Sequence, residues 1–252
     1  MAEHGAVSSV LLRMNGSWPL SAAAREFAAA GVPVFPCTSY GKRPATEHGF
    51  HDATTNLDQI EAWWRQSPGA NIGVPTGAAS GAVVVDVDVH GPVDGRASFD
   101  RAHRAGLVHG WELLVRTPTG GMHAYYPATP GSEQRSWQAA RAGIDFRGDG
   151  GYIIVPPSTC SIEGTTSGYQ VEQVNTGPAR VLDAQRLRDF LDPTPHRAVL
   201  RLAVWIGTPM WTCPGWRRGS PPVVKVSGTV ACSGPRAASR RTGSPPRMRW
   251  MC

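Results

Sequence analysis

Val83-Val84-Val85-Asp86-Val87-Asp88-Val89 reads as a β-strand whose apolar run is broken by two acids two residues apart. Side chains alternate faces along a strand, so Asp86 and Asp88 share one face while Val85, Val87 and Val89 share the other. At a rise of about 3.3 Å per residue, the two carboxylates stand roughly 7 Å apart. Carboxylates on an otherwise apolar strand need cations or protons if they are buried. A hard divalent cation such as Mg²⁺ is the simplest partner. The alternative is a solvated strand face on which the acids bind nothing.

Working outward, Asn71-Ile72-Gly73-Val74-Pro75 and Ala82 to Val89 form two strands joined by the glycine-rich turn Thr76 to Gly81. Leu113 to Thr117 and Met122 to Tyr126 flank a Pro118-Thr119-Gly120-Gly121 turn, a hairpin pattern. Ile144 to Arg147, Tyr152 to Val155 and Tyr169 to Glu172 add further strands. On the helical side, Ser21 is expected to cap Ala22 to Ala30, which stops at Gly31. Thr55 or Asn56 opens a second helix through Gln66, Gly95 to Ala105 forms a third, and Leu182 to Leu191 closes the domain. Ile60, Trp63 and Trp64 have the spacing of a helix face turned to the core. Helices early and hairpins later give an α+β domain over residues 18–192, preceded by a loose leader over 1–17.

The tail from Pro195 onward differs in kind. It carries ten basic residues and no acid, while the other 194 residues hold 15 basic against 19 acidic side chains. The net charge of +6 therefore belongs to the tail, and charge lends the body no support as a basic nucleic-acid grip. One reading of the tail is a disordered basic arm that meets phosphates electrostatically. The other is out-of-frame translation of a GC-rich gene, which suits 23 Arg against two Lys and four of the nine Trp in this segment. The five cysteines have no C-x-x-C spacing, which speaks against a zinc knuckle or a disulfide scaffold. With no signal-peptide pattern and no run long enough to span a bilayer, the expected location is cytoplasmic, with no membrane partner.

Three more segments bear on the acid pair. His123 follows the Gly120-Gly121 turn. Asp145 sits in a short strand, followed by Arg147 and the glycine-dense turn Gly148 to Gly151, whose N–H groups could approach phosphate oxygens. Ser158 ends Val155-Pro156-Pro157-Ser158. An acid pair, a third acid, a His and an Arg on separate strands are the parts of a two-metal nucleotidyl-transfer site.

In order, Asp86-Val87-Asp88, Gly121-Met122-His123 and Ile144-Asp145 resemble the three motifs of archaeo-eukaryotic-type primases. The surrounding wording resembles the bifunctional DNA primase/polymerase (prim-pol) N-terminal domain more closely still. That wording includes Gly41-Lys42-Arg43-Pro44, Trp63-Trp64, Asn71-Ile72-Gly73-Val74, Thr76-Gly77 and Gly148-Asp149-Gly150-Gly151-Tyr152 with Pro156-Pro157-Ser158. The resemblance covers about residues 20–175. It implies an RRM-like catalytic sheet with a flanking N-terminal α/β unit. By the same resemblance Asp86, Asp88 and Asp145 are the catalytic, metal-binding carboxylates for Mg²⁺ or Mn²⁺. His123 is expected at the incoming nucleotide's phosphates, with Arg147 assisting and Lys42 and Ser158 near the nucleotide or template. The implied partners are single-stranded DNA, (d)NTPs and a separate helicase. One departure is Gly121, where the family usually has a small hydroxyl residue. Two other readings stay open: a metal-dependent nucleotide-sugar glycosyltransferase using Asp-x-Asp, and a non-catalytic nucleic-acid-binding or truncated remnant protein.

Overall fold

The computed structural model describes residues 4–14, 18–90 and 93–193; the tail discussed above lies outside them. In chain order the elements are α1 (Ala6–Arg13), α2 (Leu20–Ala29), β1 (Phe35–Cys37), α3 (Leu57–Gln66), β2 (Asn71–Pro75), β3 (Ala82–Val87), α4 (Gly95–Arg104), β4 (Leu113–Arg116) and β5 (Met122–Pro127). They continue with β6 (Trp137–Ala139), β7 (Ile144–Arg147), β8 (Tyr152–Ile154), β9 (Thr159–Ile162), β10 (Thr165–Gly168), β11 (Gln170–Val174) and α5 (Ala184–Leu191). The fold is α+β.

Six strands form one antiparallel sheet in the order β11-β4-β5-β3-β7-β6, and β1-β2-β8 form a second. The valine-rich strand β3 lies inside the large sheet, between β5 and β7. Such a position explains the apolar run Ala82 to Val85, which is buried on both faces, whereas Asp86 near the strand end is only half-buried. Around it β4-β5-β3-β7 are neighbours, with the first strand of the unit in the middle, an RRM-like arrangement. Although consecutive in the chain, β2 and β3 do not pair; the Thr76–Gly81 turn carries the chain from the small sheet to the large one.

The two faces of the large sheet bury different things. Val83, Val85 and Val87, with Ala124, Tyr126, Ile144 and Phe146, pack under Phe99 and Ala102 of α4 and Leu187 and Leu191 of α5. On the opposite face Ala82, Val84, Leu113, Val115 and Tyr125 join a core shared with α1, α2, α3 and the small sheet. Within that core Trp64 is 2 % exposed, and its indole N–H donates to Ala70 O at 2.9 Å. Along the same face, past Val84, the apolar residues give way to polar ones, and this is where the site lies.

Several helix starts depart from the sequence expectation. Asn56 does cap α3, its Oδ1 accepting from Asp58 N–H and Gln59 N–H. Ser21, by contrast, sits within α2, whose N-cap is Pro19. The loose leader is also corrected, because residues 6–13 form α1 and bury Val7, Val10 and Leu11. Lacking a side-chain cap of its own, α1 is capped from a distance. Buried Glu112 accepts from Gly5 N–H at 2.6 Å and from Ser8 Oγ at 2.5 Å. The carboxylate thus meets the positive end of the helix. Ser8→Ala should cost about 1–3 kcal/mol in urea unfolding, because a buried charge loses a donor; an unchanged midpoint would contradict this cap.

Among the described residues, no helix is long and apolar enough to cross a membrane.

Candidate active site

Strand register builds the site. Asp86 on β3 stands directly across from His123 on β5 and from Asp145 on β7. Directly opposed residues in an antiparallel sheet share a face. Arg147, two residues beyond Asp145, joins them on that face. His123 Nε2 is 3.5 Å from Asp86 Oδ1, and Arg147 Nη2 is 2.8 Å from Asp145 Oδ2 and 3.5 Å from Asp86 Oδ2. The side chains of Asp86 and Asp145 are 26 % and 23 % exposed, those of His123 and Arg147 only 7 % and 13 %. This is a half-open acidic floor with the imidazole and the guanidinium set deeper.

Burial sets the protonation states. Desolvation pushes His123 down to about 4; the Asp86 charge opposes this, while Lys42 and Arg147 reinforce it. The imidazole is therefore neutral near pH 7, and its buried Nδ1 has no hydrogen-bond partner. Burial also raises the Asp145 carboxyl, with Asp86 and Asp88 adding to the rise and Arg147 opposing it. Gln138 Nε2, on the edge strand β6, donates to Asp145 Oδ2 at 3.0 Å. Tyr125 and Tyr169 flank the imidazole, their ring centroids 6.3 and 5.7 Å from its own. Their phenols are held protonated, chiefly by burial.

Asp88 takes a different place. It lies one residue past the end of β3, exposed, with Oδ1 accepting from His90 N–H at 2.9 Å. Its backbone is pinned on both sides, since its N–H donates to Gly143 O at 2.9 Å and its carbonyl accepts from Gly95 N–H at 3.0 Å. Gly95 opens α4 against this segment, where a Cβ would collide with the carbonyl oxygens of both Asp88 and Gly143. The three acids are thus a close pair plus an outlying member. Among the described residues, no three acidic, His or Cys side chains form a ready metal cluster.

The remaining sequence candidates divide between the site and the frame. The loop bearing Lys42 is anchored by Asn71, whose Nδ2 donates to Gly41 O at 2.8 Å, and by Tyr152, whose hydroxyl donates to Lys42 O at 3.1 Å. The Lys42 ammonium lies near enough to His123 to depress its basicity. Ser158 is not brought to the site. It is fully buried, and its Oγ accepts from Ile72 N–H at 2.9 Å, tying the chain after β8 to β2.

Nor is the glycine-dense turn an open anion cradle. Gly148 N–H donates to Ser136 Oγ, Asp149 N–H to Gln134 O and Gly151 N–H to Gly148 O. Asp149 in turn accepts from Ala78 N–H and Gln134 N–H. The turn is a knot joining the two sheets.

At Gly121 the hydroxyl implied by the resemblance is missing. The buried Thr117 Oγ1 lies 3.0 Å from where a Cβ on Gly121 would stand, so a hydroxyl occupies that corner from the other arm of the hairpin. Gln138, Thr117, Tyr125 and Tyr169 were not singled out from the sequence. Pairing of β6 with β7 brings in Gln138 and pairing of β4 with β5 brings in Thr117, which no local pattern signals, whereas Tyr125 follows from its position two residues past His123 on β5.

Asp86 and Asp145 fit a hard divalent cation by donor type, with the charge of the outlying Asp88 felt at Asp145. What fold and site together define is an α+β protein with a sheet-borne acidic centre, a neutral imidazole and two cationic side chains. The chain belongs to the family described as bifunctional DNA primase/polymerase, N-terminal (Prim-Pol), whose model matches residues 24–184. No curated protein matches it.

Proposed function

We propose that this chain is a DNA primase/polymerase, making or extending primers on single-stranded DNA from (d)NTPs. The observation that carries the reading is the register of β5-β3-β7, which sets His123 and Asp145 on either side of Asp86 in a family of primase/polymerases.

In this reading Asp86 and Asp145, joined by Asp88, hold Mg²⁺ or Mn²⁺. When bound, the ions lower the pKa of the attacking 3′ hydroxyl and offset charge on the leaving pyrophosphate. The protein's own part is placement and charge, which is most of what phosphoryl transfer requires. His123, uncharged and largely buried, offers a ring N–H to a phosphate oxygen. Arg147 and Lys42 supply positive charge toward the triphosphate. Tyr125 and Tyr169 keep water from the inner side of the imidazole. Unwinding of duplex DNA is assigned to a separate helicase.

Labelled nucleotide incorporation on primed and unprimed single-stranded DNA, with Mg²⁺ or Mn²⁺, tests this directly. Template-dependent products that require the metal support it; no product at any metal concentration overturns it. His123→Ala should weaken dNTP binding by about tenfold or more, the worth of one hydrogen bond to a charged group, with template affinity kept. Equal dNTP titrations of the two proteins would contradict the role given to the imidazole.

A further inference from the structure

We infer that Arg147 is a built-in counter-ion that competes with the divalent cation for Asp86 and Asp145, so that it weakens metal binding while strengthening nucleotide binding. This deepens the reading above and rests on it.

Asp86 and Asp145 are register partners on adjacent antiparallel strands, and two carboxylates so opposed repel each other. The fold answers with one guanidinium. Arg147 Nη2 lies within 3.5 Å of a carboxylate oxygen of each, closer to Asp145 at 2.8 Å. Asp145 Oδ2 also accepts from Gln138 Nε2 at 3.0 Å, so the oxygen facing Arg147 already has two donors. The guanidinium is largely enclosed, 13 % exposed, so water screens this interaction only in part. A dication held by the same pair meets an adjacent positive charge and must draw Asp145 Oδ2 away from it. Once a cation neutralises the acids, they offset less of the charge of Arg147, and its attraction for an anionic ligand at the site rises. The two effects of Arg147 therefore have opposite signs, which separates this role from a merely structural one.

The test is Mn²⁺ binding to the full chain without nucleotide, read from the electron paramagnetic resonance signal of the free ion, with dNTP binding measured in parallel. Asp86→Asn should weaken Mn²⁺ binding, which locates the ion. Arg147→Met should tighten it by about tenfold, on the order of one charge–charge contact at partial screening, and should weaken dNTP binding. Arg147→Lys, which keeps the charge, should stay near wild type for Mn²⁺. Unchanged or weaker Mn²⁺ binding in Arg147→Met, with binding still dependent on Asp86, overturns the counter-ion role and leaves the site reading intact. Mn²⁺ binding indifferent to Asp86→Asn overturns both. A second measurement needs no variant: the Arg147 side-chain ¹⁵N resonances of the wild type should shift and lose hindered rotation on saturation with Mg²⁺. Resonances that do not respond overturn the inference.

Discussion

Asp86→Asn is expected to lower nucleotide incorporation at least about a thousandfold, a loss of about 4 kcal/mol of transition-state stabilisation, while the protein stays folded. The size follows from position. Among the described residues, Asp86 is the acid that touches functional groups of both flanking strands, with His123 Nε2 and Arg147 Nη2 each 3.5 Å away. Asn keeps the shape but removes the charge that a hard cation needs. Stability should hardly suffer. The side chain is a quarter exposed, the valines of β3 keep the core on the other face, and Arg147 retains Asp145 as its closer partner. A melting temperature within a few degrees of wild type, measured beside the incorporation rate, separates lost chemistry from lost fold. Activity within tenfold of wild type would contradict the role assigned to Asp86.

Gly95→Val should be the most damaging single change away from the acids. A Cβ at this position runs into backbone oxygens of Asp88 and Gly143, and backbone cannot swing aside as a side chain can. Relief would require lifting the start of α4 from the large sheet, breaking the Gly95 N–H bond to Asp88 O and the adjoining Asp88 N–H bond to Gly143 O. Overpacking of this kind costs about 1–3 kcal/mol, and each lost buried backbone bond adds to that. Because the same contacts hold Asp88 beside the acid pair and lead into β7, incorporation should fall along with stability. Urea unfolding and incorporation measured on one preparation check this. A variant as stable and as active as wild type would show that the α4 start does not hold the site.

Which features could be read from the sequence depends on how local the physics is. The alternation from Val83 to Val87, the Leu113–Tyr126 hairpin and the Asn56 cap depend on near neighbours and reappear as β3, β4-β5 and the start of α3, although β3 stops at Val87, short of the Val89 expected from the sequence. The helix α1 could not be read, because its cap comes from Glu112, more than a hundred residues away. Short strands such as β6, β9 and β10 carry too few residues for a period to show, yet β6 brings Gln138 to Asp145. The same distinction applies at the site. That Asp86 shares a face with Asp145 and His123 follows from pairing, which the ordered motifs hint at and the register displays. That Asp88 has left the strand follows from the backbone contacts of Gly143 and Gly95, which no strand period contains. Ser158 and the Gly148–Gly151 turn looked like ligand contacts because hydroxyls and glycines bind phosphates. Here they bind their own backbone instead.

The most direct test of the account is anomalous diffraction from crystals of the chain soaked with Mn²⁺ and a non-hydrolysable dNTP. The account predicts a manganese peak bonded to Asp86 and Asp145, with the triphosphate reaching toward His123. A peak elsewhere, or none while the nucleotide is bound, would contradict it.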